Sequence, residues 1–128
     1  MVLDTSAVVA LYLKEPGCDR IAERIEGATA VLIGAPTLTE TVMVLSSRLG
    51  ADVRPLLMAY LRLKNAEIVD FTEEHFYAAA DAFLRFGKGR HPAGLNFGDC
   101  MSYAVAAISG MPLLYIGDDF ARTDITAA

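Results

Sequence analysis

Four short apolar runs, each bounded by glycine, proline or an acidic residue and each separated from the next by helical periodicity, constrain this chain more than any other feature. Val2 and Leu3 lead into Asp4, and Ala30 to Ile33, Glu67 to Phe71 and Leu113 to Ile116 follow. Runs this short and this apolar read as buried strands. Between them, apolar residues recur at helical spacing over 6–13, 19–25, 38–49, 53–63, 73–86 and 97–109. Strands alternating with helices predict an α/β fold, with a parallel sheet covered on both faces. Ligands of such sheets bind outside the carboxyl ends of the strands. The residues that follow each run are therefore the first place to look for chemistry. With 128 residues, 54% of them hydrophobic, the chain is expected to form a single domain over 1–128. A chain of that length buries about two-thirds of its unfolded surface without needing a disulfide or a structural metal.

The net charge of −5 argues against holding nucleic acid by bulk electrostatics, which needs clustered Lys and Arg. A polyanionic substrate would have to be met locally, by a bound cation or by a confined basic patch. The longest apolar stretch, Tyr103 to Ile116, is broken by Ser109, Gly110 and Pro112 and is too short for the roughly 20 residues of a membrane span. Met1 runs straight into an apolar segment with no basic region before it, so no cleaved signal peptide is expected, and the expected location is the cytoplasm. Cys18 and Cys100 lack the close pairing of a metal or redox motif and read as small apolar residues.

The acids are placed more tellingly than their number suggests. Asp4 should emerge at the carboxyl edge of the first strand as the chain turns into a helix, either as a ligand-binding group or as that helix's cap, although Thr5 and Ser6 could cap equally well. Glu40 stands three residues after Thr37, so 37–40 matches a capping box, and it also falls near the sheet edge that carries Asp4. Asp99 lies in the first turn of an apolar helix, where a carboxylate either complements the helix dipole or needs a partner. Asp118 and Asp119 form an acidic turn after the last strand. Like charges gathered at one edge are costly unless a cation neutralises them, and oxygen-only ligands favour Mg²⁺ or Mn²⁺. A site of that kind activates water for phosphoryl displacement without a covalent nucleophile.

Residues 87–94 form the one local basic patch, with Lys88, Arg90 and His91 among three glycines. The helix over 38–49 carries Leu38, Val42, Leu45 and Leu49 on one stripe, yet Met43 and Val44 are apolar as well. Pro55 to Leu63 likewise offers more apolar residues than one core face requires. Both segments suit a packed core or a protein interface.

Together these residues resemble the PIN-domain nucleases, and within them the VapC toxins of bacterial VapBC toxin–antitoxin pairs. The resemblance spans nearly the whole chain. It rests on Met1 to Ala7, on Glu40, on Gly87-Lys88-Gly89-Arg90-His91 through Leu95-Asn96-Phe97-Gly98-Asp99-Cys100, and on Pro112 to Phe120 with Thr123-Asp124-Ile125. It implies a PIN-like three-layer α/β/α sandwich around a central, mostly parallel sheet of four or five strands. It also implies a Mg²⁺- or Mn²⁺-dependent endoribonuclease that cuts cellular RNA, is held inactive by a cognate VapB-type antitoxin, and forms a homodimer. By motif position, Asp4, Glu40 and Asp99 carry over as the acidic site, with Asp119 as the fourth acid and Asp118 as a water-mediated helper. Ser6 would hydrogen-bond the cluster, and Lys88, Arg90 and His91 would touch RNA phosphates. Ile116 stands where the family often has Thr or Lys. Two alternatives remain at this point. Haloacid-dehalogenase-type phosphatases also place an Asp after the first strand and an acidic turn after a late one, but they need a second acid where this chain has Ser6, and they leave Glu40 and Asp99 unexplained. A non-catalytic interaction module would use the acids only as helix caps.

Overall fold

The computed structural model describes residues 1–128. Its four strands are β1 (Val2–Leu3), β2 (Leu32–Gly34), β3 (Glu67–Val69) and β4 (Leu113–Leu114), all parallel and ordered β3-β2-β1-β4. The helices are α1 (Thr5–Leu13), α2 (Cys18–Glu26), α3 (Ala35–Leu49), α4 (Arg54–Leu63), α5 (Glu73–Phe86) and α6 (Phe97–Ser109), followed by a 3-10 turn over Phe120–Arg122. A single parallel bridge from Ala127 to Leu113 borders β4 on its outer side.

Because side chains alternate along a strand, each short strand feeds both layers. Val2, Leu32 and Leu113 stand in register and pack with Ala79, Ala82, Tyr103 and Val105 of α5 and α6. Leu3, Ile33 and Leu114 point the other way, against Val8, Ile21, Leu57 and Leu61 of α1, α2 and α4. The result is the three-layer sandwich. No helix is long and apolar enough to cross a membrane.

The structure corrects four details of the sequence reading. The run Glu67 to Phe71, read as a buried strand, is an edge strand that ends at Val69, with Glu67 and Ile68 exposed. It has a neighbour on one side only, and a charged residue there blunts further pairing. The last strand ends at Leu114 rather than Ile116. The third helix begins three residues earlier than expected, at Ala35, because Pro36 presets the backbone of its first turn. Thr37 is therefore not a cap, and its hydroxyl lies 3.0 Å from that of Ser102. The buried stripe of α3 is Thr37, Thr41 and Leu45, which leaves Met43 and Leu49 exposed and Leu38 and Val42 half-buried.

Gly87 closes α5 and starts the basic loop. A Cβ added there would collide with the Phe83 backbone carbonyl and ring, neither of which can move cheaply. Gly87→Ala is expected to destabilise the fold by about 2 kcal/mol or more, in the range of an overpacked core. A shift of the urea midpoint at unchanged slope is the measurement that checks it.

Candidate metal centre

The strand ends deliver the acids. The Asp4 backbone N–H donates to the Leu114 carbonyl at 3.0 Å, so Asp4 continues the sheet by one bond before its extended backbone turns into α1. Of the three residues that could cap that helix, Asp4 does so. Its Oδ2 accepts the Ser6 N–H at 2.9 Å and the Ser6 hydroxyl at 2.5 Å. Ser6 Oγ in turn accepts the Ile116 N–H at 3.0 Å, which ties the end of β1 to the segment after β4. Although Asp4 is only 4% exposed, its carboxylate lines a cleft of about 360 Å³. Capping and ligand binding are thus compatible roles for one side chain.

Glu40 reaches the same cleft from the second turn of α3. The Thr5 hydroxyl donates to its Oε2 at 2.7 Å, and Thr41 donates to the Thr37 carbonyl at 2.8 Å behind it. The Thr5 hydroxyl ties α1 to α3, the Thr37 and Ser102 hydroxyls tie α3 to α6, and no buried side-chain polar atom is left without a partner. Gly98 packs against the Glu40 carboxylate, and a Cβ added there would stand 2.5 Å from both of its oxygens. A glycine at this position leaves the Glu40 carboxylate where Thr5 holds it.

Asp99 enters from α6 through a reciprocal cap. Asn96 N–H donates to Asp99 Oδ2 at 2.8 Å, and Asp99 N–H donates to Asn96 Oδ1 at 3.0 Å. Its proton affinity is raised to a pKa of about 6, first by burial and then by the nearby charges of Asp4, Asp119 and Glu40, against the lowering effect of the Asn96 N–H. Helix capping alone does not require three further carboxylates around such a group. Asp119 stands at the start of the 3-10 turn, exposed, and its charge acts on Asp99, whereas that of Asp118 acts on Tyr115.

As the side chains stand, no three carboxylates converge tightly enough to hold an ion between them. Each is turned to a local donor, Asp4 to Ser6, Glu40 to Thr5 and Asp99 to Asn96. The donor set still fits a small hard cation, because Mg²⁺ typically uses one or two carboxylates and keeps several waters. Asp4, Glu40 and Asp99 each commit a single oxygen to these bonds.

Three polar cleft residues were not anticipated from the sequence as part of the site: Thr5, Glu15 and Arg48. Arg48 could have been found, since Glu40, Val44 and Arg48 follow one another at four-residue spacing on one face of α3. Glu15 could not, because it follows Lys14, whose left-handed backbone (φ 52°) redirects the chain after α1. Arg48 and Glu15 pair at 3.0 Å, both substantially exposed, and such a pair adds little stability.

The basic loop is built but lies outside the cleft. Lys88 N–H donates to the Leu95 carbonyl and Leu95 N–H to the Phe86 carbonyl, closing it at its base one residue before Asn96. Lys88 and Arg90 are exposed, with Arg90 over the Phe83 ring at 5.3 Å. His91 is half-buried, accepts the Ala93 N–H at 3.1 Å and stands edge-on to Phe86, so it holds the loop together.

Comparison with known proteins agrees with this architecture. The PIN domain model matches residues 1–125. Ribonuclease VapC36 of Mycobacterium tuberculosis is 44% identical over 126 residues, covering 98% of this chain and 91% of that one. Among solved structures, Mycobacterium tuberculosis VapC20, described as a sarcin-ricin loop cleaving toxin, superposes with a TM-score of 0.77 at 20% identity over 99% of this chain and 97% of its own. A toxin–antitoxin complex from Klebsiella pneumoniae gives 0.72 at 17% identity over 99% and 95%. The phosphatase alternative falls with these matches, and the PIN-domain ribonucleases are typically metal-dependent. A parallel four-stranded sheet with its acids at the carboxyl edge, and a near full-length match to VapC ribonucleases, place this chain in the PIN-domain family, among the VapC ribonucleases.

Proposed function

We propose that this chain is the toxin of a type II toxin–antitoxin pair, a Mg²⁺- or Mn²⁺-dependent endoribonuclease acting on cellular RNA in the cytoplasm. The observation that carries the reading is the cleft that Asp4, Glu40 and Asp99 line together, at the sheet edge where a phosphodiester would bind. Asp4 and Asp99 would hold the ion, Asp119 would complete the negative pocket, and Asp118 would assist through water. A divalent ion bound there would polarise the phosphate and supply activated water at neutral pH. Glu40 would orient the attacking water through Oε1, the oxygen that Thr5 does not engage. Ser6 keeps Asp4 in one orientation by donating to it while accepting from Ile116. Lys88 and Arg90 meet RNA phosphates outside the cleft, as point and forked charges, and His91 maintains the loop that presents them.

A VapB-type antitoxin and a second copy of the chain are the proposed protein partners. Apolar side chains left uncovered support this, among them Met43 at 65% exposure and Leu63 at 74%. Isolated apolar residues on a surface are ordinary, but several on neighbouring helices suit an interface.

The test combines metal titration with mapping of new RNA 5′ ends after induced expression. Mn²⁺ or Mg²⁺ is expected to raise the melting temperature, by about 2.7 kcal/mol of added stability at a hundredfold excess over Kd. Cleavage should stop on chelation, and Asp4→Asn should lose both responses. A folded, antitoxin-free protein that generates no new ends would overturn the reading.

A further inference from the structure

We propose that α2 and the outer border of the sheet form a second RNA-binding track, in which Arg20 and Arg24 hold backbone phosphates next to the scissile one. The proposal rests on the ribonuclease reading and adds a binding surface to it. Arg20 and Arg24 lie one helical turn apart and line a cleft of about 340 Å³ whose other wall is the chain from Leu113 to Gly117. Ile116 lines both this cleft and the acidic one, so the two open on either side of a single residue. Ile116 is 38% exposed, a surface divider that a strand can pass over. Gly17, with φ +94°, starts α2 beside it, a Cβ there standing in ordinary van der Waals contact with Ile116 Cδ1 at 3.8 Å.

The charges favour an anion here. Arg48 in the acidic cleft is occupied by Glu15, and Lys64 by Glu26, whereas Arg20 and Arg24 form no ion pair. Asp19 and Glu23 share the helix but do not line the cleft. A strand whose scissile phosphate sits among Asp4, Glu40 and Asp99 is repelled on both flanks in a protein of net charge −5. Cations immediately beyond the cluster compensate the neighbouring phosphates, and their guanidinium forks suit phosphate oxygens. Lys88 and Arg90 supply such charge from α6's side of the site, and Arg20 and Arg24 supply it from the β4 side.

The experiment measures steady-state cleavage of a long single-stranded RNA by the full chain with Mn²⁺, over a range of KCl. Arg20→Gln with Arg24→Gln is expected to raise KM about tenfold with kcat unchanged, the signature of lost uniform binding. The slope of log(kcat/KM) against log salt should flatten by about 1.4, for two phosphates at roughly 0.7 each. Replacing both by Lys should restore most of the slope. Arg62→Gln, an exposed cation on α4 that lines neither cleft, should leave it unchanged. A folded double variant with wild-type KM and wild-type slope overturns the proposal and leaves the groove to a protein partner. A wild-type chain that cuts no RNA overturns the ribonuclease reading and this proposal with it, so the two failures are distinguishable.

Discussion

Asp99→Asn is expected to lower RNA cleavage by about a thousandfold, the scale of losing one preorganised electrostatic group at a reacting phosphate, while making the metal-free protein more stable. The two effects have one cause. Asparagine keeps an oxygen to accept the Asn96 N–H, so the cap survives, but it removes a charge that burial disfavours first and that Asp4, Asp119 and Glu40 repel as well. The folded protein raises the Asp99 pKa from 3.8 to about 6. The penalty for ionising it is therefore absent below pH 4 and complete above pH 6, and wild-type stability should fall as pH rises through that window. Asp99 is partly open to solvent, so the gain from Asp99→Asn at neutral pH is about 1 kcal/mol after screening, a few degrees in Tm. Melting curves at pH 3.5 and 7.5 without metal check this, and the difference should be confined to the higher pH. Added Mn²⁺ should stabilise the wild type more than the variant. Equal stability of the two proteins at pH 7.5 would mean that neither burial nor the neighbouring acids penalise the Asp99 charge.

Gly98→Ala should produce a protein that folds well and cuts poorly. The new methyl meets the Glu40 carboxylate, the free end of a flexible side chain, which can swing away from Thr5 at little cost. Replacing glycine within a helix even returns about 0.5–1 kcal/mol. Catalysis depends on where that carboxylate sits, and a displacement of about 1 Å can cost a hundredfold in rate. Unchanged kcat in a folded Gly98→Ala protein would show that Glu40 needs no fixed position. The comparison with Gly87→Ala is instructive, because there the obstacle is backbone and the loss falls on stability instead.

Period and punctuation made most of the fold legible. The limits of α5 and α6 agree with the sequence reading because Thr72 and Asn96 are strong caps and Gly87 and Gly110 clear stops. The start of α3 was misjudged because Thr37 looks like a cap locally, while Pro36 and Gly34 begin the helix sooner. The edge position of β3 was illegible, since neighbours across a sheet are chosen by packing and not by adjacency in the chain. Arg20 and Arg24 read as ordinary helix-surface charges until the fold brought the segment after β4 beside them.

The sequence alone determined that acids would stand at the carboxyl ends of parallel strands, because an apolar run that stops at Asp4, or just before Asp118 and Asp119, must leave the sheet there. Only the tertiary structure decided which charges feel one another. Residues 4, 40, 99 and 119 lie far apart along the chain, and their mutual repulsion at Asp99 exists only after α6 has closed on α3 at Gly98, where an added Cβ would displace the Glu40 carboxylate. Coulombic interaction falls with distance in space and is indifferent to separation in sequence.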